Sequence, residues 1–153
     1  MASVQVSAFF LGSVHEAETC WYDTARWHEW VDELADIIEV QGEWPGVSSR
    51  VVWQSGPAGR GRVSERVLAY APLEGQTLQL EDDAITGEQT VTFEPAGDGV
   101  QVTLALSYRI RRRNLLTPLI DLLFVRRLMA SSLQRTLTRF GAVLEGPREQ
   151  DVG

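Results

Sequence analysis

Lysine is absent, cysteine occurs once and histidine twice among 153 residues. Each shortage excludes something. Cys20 alone cannot close an internal disulfide, and with His15 and His28 it makes too small a set for a Cys/His metal site. No metal and no cofactor is therefore expected, and a reducing compartment is the default. Long apolar runs are missing too: no segment reaches the ~18 uncharged apolar residues that would span a bilayer. The opening "MASVQVSAFF" lacks a basic n-region and alternates, so it does not read as a signal peptide. A cytoplasmic protein is the expectation. All fourteen basic residues are arginine, which points to a GC-rich bacterial genome rather than to a function.

Positive charge is scarce overall, with a formal net charge of -7. A phosphate backbone would be repelled before contact, so nucleic acid is not an expected partner. The balance is uneven, however. Residues 109 to 139 hold eight of the fourteen arginines against a lone Asp121. Arg111, Arg112, Arg113, Arg126 and Arg127 flank the apolar "LLTPLIDLLF", a pattern suited either to transient contact with an anionic membrane surface or to a solvated strand end before a core helix.

What is present is an ordinary globular composition, 44% apolar and 23% charged, enough for one domain. "SVQVSAFFLG" alternates as a half-buried strand. Ser13 followed by Glu16 is a capping-box signature that opens a short helix, and Thr24 opens a second one running through Val31. Six further strands follow, from "ADIIEVQGEW" to "VQVTLALSYRI", separated by Gly/Pro turns. In the last of them Val102, Leu104, Leu106, Tyr108 and Ile110 share one face, the mark of a one-sided antiparallel strand. From a Thr117 cap and Pro118, apolar residues recur at helical spacing to Leu144, giving a helix of about 27 residues that ends near Gly146–Pro147. Residues 1–146 read as a single domain and 147–153 as a fraying tail.

A sheet with one apolar face must cover it, and the terminal helix is the only element large enough. The order strand, two short helices, six strands, long helix resembles the START-like helix-grip (SRPBCC) superfamily, and in it the polyketide cyclase/dehydrase and lipid-transport branch. The resemblance is carried by "YDTARWHEW", "GRGRVSERV", "FEPAGDGVQVTLALSY" and the long helix ending "LEG". It implies an α+β fold in which a curved seven-stranded antiparallel sheet wraps the C-terminal helix. It also implies a cavity between the two for a small hydrophobic or amphipathic molecule, lipid- or polyketide-like. A carrier or sensor is the first functional expectation, as monomer or homodimer, and an aromatase/cyclase-type enzyme the alternative.

The expected lining is Trp30, Trp53, Glu65, Phe93, Leu104, Leu106, Tyr108, Met129 and Leu133. Glu65 is its most informative member. It belongs to the alternating set Val63, Glu65, Val67, so an inward register would set a carboxylate in an apolar cavity, raise its pKa and fit it for proton transfer. The opposite register would turn Arg62, Arg66 and Tyr70 inward, where an arginine could hold a carbonyl or enolate oxygen. Glu65, Arg66 and Tyr70 are thus the catalytic candidates, and the register between them is open. Asp82–Asp83 would point to opposite faces at a solvated turn and share no proton. In "WYDTARWHEW", Trp27 and Trp30 fall on one helical face with His28 turned away, which reads as a packed corner that seats the short helices.

Overall fold

The computed structural model describes residues 2–57, 59–111 and 119–150. The seven strands are β1 (Ala2–Leu11), β2 (Leu34–Gln41), β3 (Arg50–Ser55), β4 (Arg62–Ala71), β5 (Gly75–Glu81), β6 (Ile85–Ala96) and β7 (Gly99–Ile110). Between β1 and β2 lie α1 (Val14–Tyr22), a 3₁₀ turn (Thr24–Arg26) and α2 (Trp27–Trp30); α3 (Leu119–Gln150) closes the chain. All neighbours in the sheet are antiparallel, in the order β1-β7-β6-β5-β4-β3-β2. The chain therefore makes a curved meander whose first strand closes on its last, an α+β helix-grip fold.

Local chemistry sets the elements. The Ser13 hydroxyl accepts from the Glu16 amide at 3.0 Å while the Glu16 carboxylate accepts from the Ser13 amide at 3.3 Å, the expected capping box. The corner after α1 is pinned by two indoles: Trp27 Nε1 donates to the Trp21 carbonyl at 2.8 Å and Trp44 Nε1 to the Tyr22 carbonyl at 2.9 Å. Trp27 and Trp30 are buried and His28 is exposed, so the tryptophan cluster is a packed corner with the histidine outside it. Trp21, Trp30 and Phe140 of α3 meet with ring centroids 4.6 to 5.1 Å apart.

The seam between sheet and helix is apolar. Val100, Val102, Leu104, Leu106 and Tyr108 of β7 are all buried, as are Leu133, Leu137 and Phe140 of α3. The helix departs from expectation at its end, passing Gly146–Pro147 and running to Gln150. Gly146 does not take the left-handed conformation that would stop it. The expected cap at Thr117 and Pro118 lies outside the described residues, as do Arg112 and Arg113. β2 ends at Gln41, short of Trp44, because Gly42 at φ 77° turns the chain.

The Asp82–Asp83 pair differs from a solvated turn. Asp83 is exposed, but Asp82 is buried. Its Oδ1 accepts from the amides of Ala84 and Ile85, both at 2.8 Å, and its Oδ2 accepts from Arg60 Nε at 2.7 Å. Protein donors have replaced water around that carboxylate, so burial is tolerated.

A buried acid at a small cavity

Between β3–β7, the short helices and the middle of α3 lies a cavity of ≈ 50 Å³. Sheet residues Trp53, Leu78, Leu80 and Leu104 form its floor, and Trp21, Trp27 and Trp30 form a wall from the helical corner. Ser132, Leu133 and Thr136 of α3 roof it. Ligand pockets ordinarily enclose roughly 300–1,000 Å³. The present space suits a few water molecules, because the indoles fill what the sheet's curvature would otherwise leave open.

Three charged side chains reach this cavity. Glu65 is 6% exposed and its Oε2 accepts from Trp53 Nε1 at 3.1 Å. Burial pushes its carboxyl up to about 7, against the opposing pull of the Trp53 hydrogen bond and the Arg60 charge. Arg60 lies with its guanidinium carbon 5.8 Å from the Trp53 ring centroid while its Nε is bound to Asp82. Asp32 is held by Ser132 Oγ at 2.8 Å, by both Nε and an Nη of Arg135, and by Arg139 at 3.2 Å. Burial opposes ionisation of Asp32, but the hydrogen bonds from Arg135 and Ser132 and the two arginine charges prevail, so its pKa is lowered. Two buried polar atoms on the cavity lining, Trp30 Nε1 and Gln76 Oε1, have no partner among the described residues.

Of the residues expected from sequence, Trp30, Trp53, Glu65, Leu104 and Leu133 meet at this cavity. Phe93, Leu106 and Tyr108 are buried and Met129 half-buried in the surrounding core, away from the lining. Phe93 instead packs on Trp21 and Tyr22, at 6.2 and 6.1 Å. The strand register is the inward one for Glu65: Val63, Glu65 and Val67 are buried while Arg62 and Arg66 are exposed on the outer face. Arg66 is therefore remote from the cavity. A bulge between Val67 and Ala69 then reverses the alternation. Tyr70 consequently turns inward beside Gln76, half-buried and 5.5 Å from Tyr22, without reaching the cavity lining. Arg111, Arg126 and Arg127 are exposed, and so are Leu123, Phe124 and Leu128 near the start of α3.

Sequence reasoning missed Gln76, Asp32 and Arg60. Gln76 carries the same signal that marked Glu65, a polar residue in an inward set with Leu78 and Leu80. Asp32 joins partners 100 and more positions away, and Arg60 sits in an aperiodic loop. Neither leaves a trace in local pattern. Among the described residues no group of three or more His, Cys, Asp or Glu side chains could hold a metal, and no helix is long and apolar enough to cross a membrane.

A model of the family described as polyketide cyclase / dehydrase and lipid transport matches residues 1–145. No curated protein matches the sequence. Among solved structures, the protein TTHA0849 of Thermus thermophilus is similar with a TM-score of 0.76 at 18% identity, over 95% of this chain and 99% of that one. The di-domain ARO/CYC StfQ from the steffimycin biosynthetic pathway gives 0.77 at 15% identity, over 96% of this chain and 51% of that one. A point mutant of norcoclaurine synthase from Thalictrum flavum, in complex with a transition-state analogue, gives 0.70 at 9% identity, over 96% of each chain. At such identities the likeness is one of fold.

Proposed function

We propose that this chain, which belongs to the polyketide cyclase/dehydrase and lipid transport family, binds a compact amphipathic molecule between its sheet and α3 with the polar end at Glu65. The observation that carries the proposal is convergence: a carboxyl whose pKa burial raises to about 7 and two buried polar atoms without a partner among the described residues line one cavity that is walled by indoles and leucines. A ligand hydroxyl or carbonyl can pair with these groups in place of water, and a buried group left unmet would cost about 1–3 kcal/mol. Removing ~300 Å² of ligand hydrocarbon from water at ~25 cal/mol/Å² supplies roughly 7 kcal/mol before association costs. Binding as a carrier or sensor needs no chemistry beyond this, and enlarging the ≈ 50 Å³ space draws on the same sum. Exposed Leu123, Phe124 and Leu128 beside Arg126 and Arg127 suit collection of such cargo from an anionic membrane surface. Mass spectrometry of molecules that co-purify under native conditions tests the proposal. The expected result is a small apolar compound with a carbonyl or hydroxyl, lost from a Glu65→Ala variant; retention by that variant at wild-type occupancy would count against it.

A second reading is favoured by the Glu65 pKa of about 7, where a carboxyl both gives and takes a proton at neutral pH. Glu65 would then act as general acid–base on a carbonyl compound, as a cyclase-type enzyme requires. Glu65→Gln separates the two readings. Under catalysis it binds the co-purified compound and its rate of conversion falls by about 10²-fold or more; under simple carriage no conversion is seen in either protein.

A further inference from the structure

Two acids and one cation, Asp32, Glu65 and Arg60, line the cavity. Asp32 draws on both α3 arginines and on Ser132, so its carboxylate is saturated with donors. Arg60 is different. Asp82 takes only its Nε, and neither Nη has an acceptor among the described residues, although the side chain is 16% exposed. Its guanidinium is kept over the Trp53 ring at the cavity edge, and the loop beneath it is fixed by the Asp83 amide, which donates to the Arg60 carbonyl at 3.3 Å. Trp30 Nε1, buried on the same lining, is a second donor without an acceptor among those residues.

We infer that Arg60 is the specificity-determining residue of this cavity and selects a ligand bearing a carboxylate over its neutral counterpart. The inference rests on the reading that the cavity takes a ligand. An arginine that has given its Nε to a buried carboxylate still presents the N–H edge of a planar fork, which two carboxylate oxygens match. Trp30 Nε1, on the same lining, is a second donor that suits an acidic rather than a basic ligand. Gln76 Oε1 asks for the opposite, a donor, and is met by a ligand hydroxyl or by water. The ligand class is therefore a compact apolar acid.

Benzoate and benzamide, equal in shape and different in charge, are the probes, read at pH 6 through the indole N–H signals of Trp30 and Trp53 in the ¹⁵N-labelled protein. Benzoate is expected to bind about tenfold more tightly than benzamide, the arginine–carboxylate interaction accounting for the difference. In Arg60→Gln the two affinities should come within about twofold, while Arg66→Gln, on the outer face, should keep the wild-type ratio. Should Arg60→Gln not fold, Arg60→Lys keeps the charge opposite Asp82 but loses the fork, and the preference should drop by about threefold. Benzamide binding as tightly as benzoate to the wild type, or a preference unchanged in the Arg60 variants, overturns the inference and leaves the ligand-binding reading standing. If neither probe moves either indole signal at saturating concentration, both fail.

Discussion

Glu65 stands in the native state with a carboxyl at about 7, where an ordinary glutamate has 4.5. The consequence for stability has a definite sign. Below pH 4.5 the carboxyl is protonated whether the chain is folded or not, and it makes no difference. Between 4.5 and 7 the unfolded chain has released the proton that the native state keeps, so stability falls as pH rises through this window. Above about 7 the loss is complete at about 3 kcal/mol. Glu65→Gln removes the titration yet keeps an oxygen for the Trp53 indole. Urea denaturation should find the variant and the wild type alike near pH 4.5 and the variant about 3 kcal/mol more stable at pH 8. Parallel pH profiles for the two proteins would refute the burial of a titrating acid. Taking the difference between them cancels the other carboxylates, Asp32 included, whose lowered pKa acts the other way and is felt only as pH falls below its ordinary value.

At the scale of elements, alternation and capping made most of the fold legible. Strand β7 keeps one face inward for its whole length, and the Ser13–Glu16 box marks the start of α1. Glu65 was legible for the same reason, as the polar member of an apolar inward set. What lay beyond the sequence depends on contacts between distant segments: the bulge that turns Tyr70 inward, the bridge from Asp32 to α3, and the loop arginine over Trp53. Gly141 belongs to this class. By helix propensity it weakens α3 by about 1 kcal/mol relative to alanine. In the structure the Phe10 ring of β1 occupies the space a methyl on Gly141 would need, and that ring packs edge-on to Phe140 at 5.6 Å. Overpacking costs about 1–3 kcal/mol, so it outweighs the propensity gain. Gly141→Ala should accordingly lower Tm by a few degrees, about 2–4 °C per kcal/mol at this size. Adding Phe10→Leu should return part of the loss, a coupling that two independent sites would not show.

At the scale of the whole molecule the question is how a grip so nearly full admits a guest. The sheet is a single hydrogen-bonded meander and α3 lies along it, whereas α1, the 3₁₀ turn and α2 form a small corner. Part of what fastens that corner to α3 is Asp32, whose two arginine partners are each about half exposed and screened by water. The corner also supplies the three indoles that fill the cavity. If a ligand larger than the ≈ 50 Å³ cavity binds, this wall is expected to give way before the continuous sheet does. Truncating the wall should have the same effect permanently. Trp30→Ala is expected to lower stability by about 3–5 kcal/mol. The empty space should then bind naphthalene, which restores about 2.7 kcal/mol at a hundred times its Kd. Thermal denaturation with and without naphthalene measures this, and Trp30→Phe provides a milder variant with a smaller gain. A naphthalene-dependent rise in Tm in the variants that exceeds the wild type's identifies Trp30 as a stopper of the cavity. Equal responses would mean that the space vacated by the indole collapses, and that the interior is a core built to stay closed.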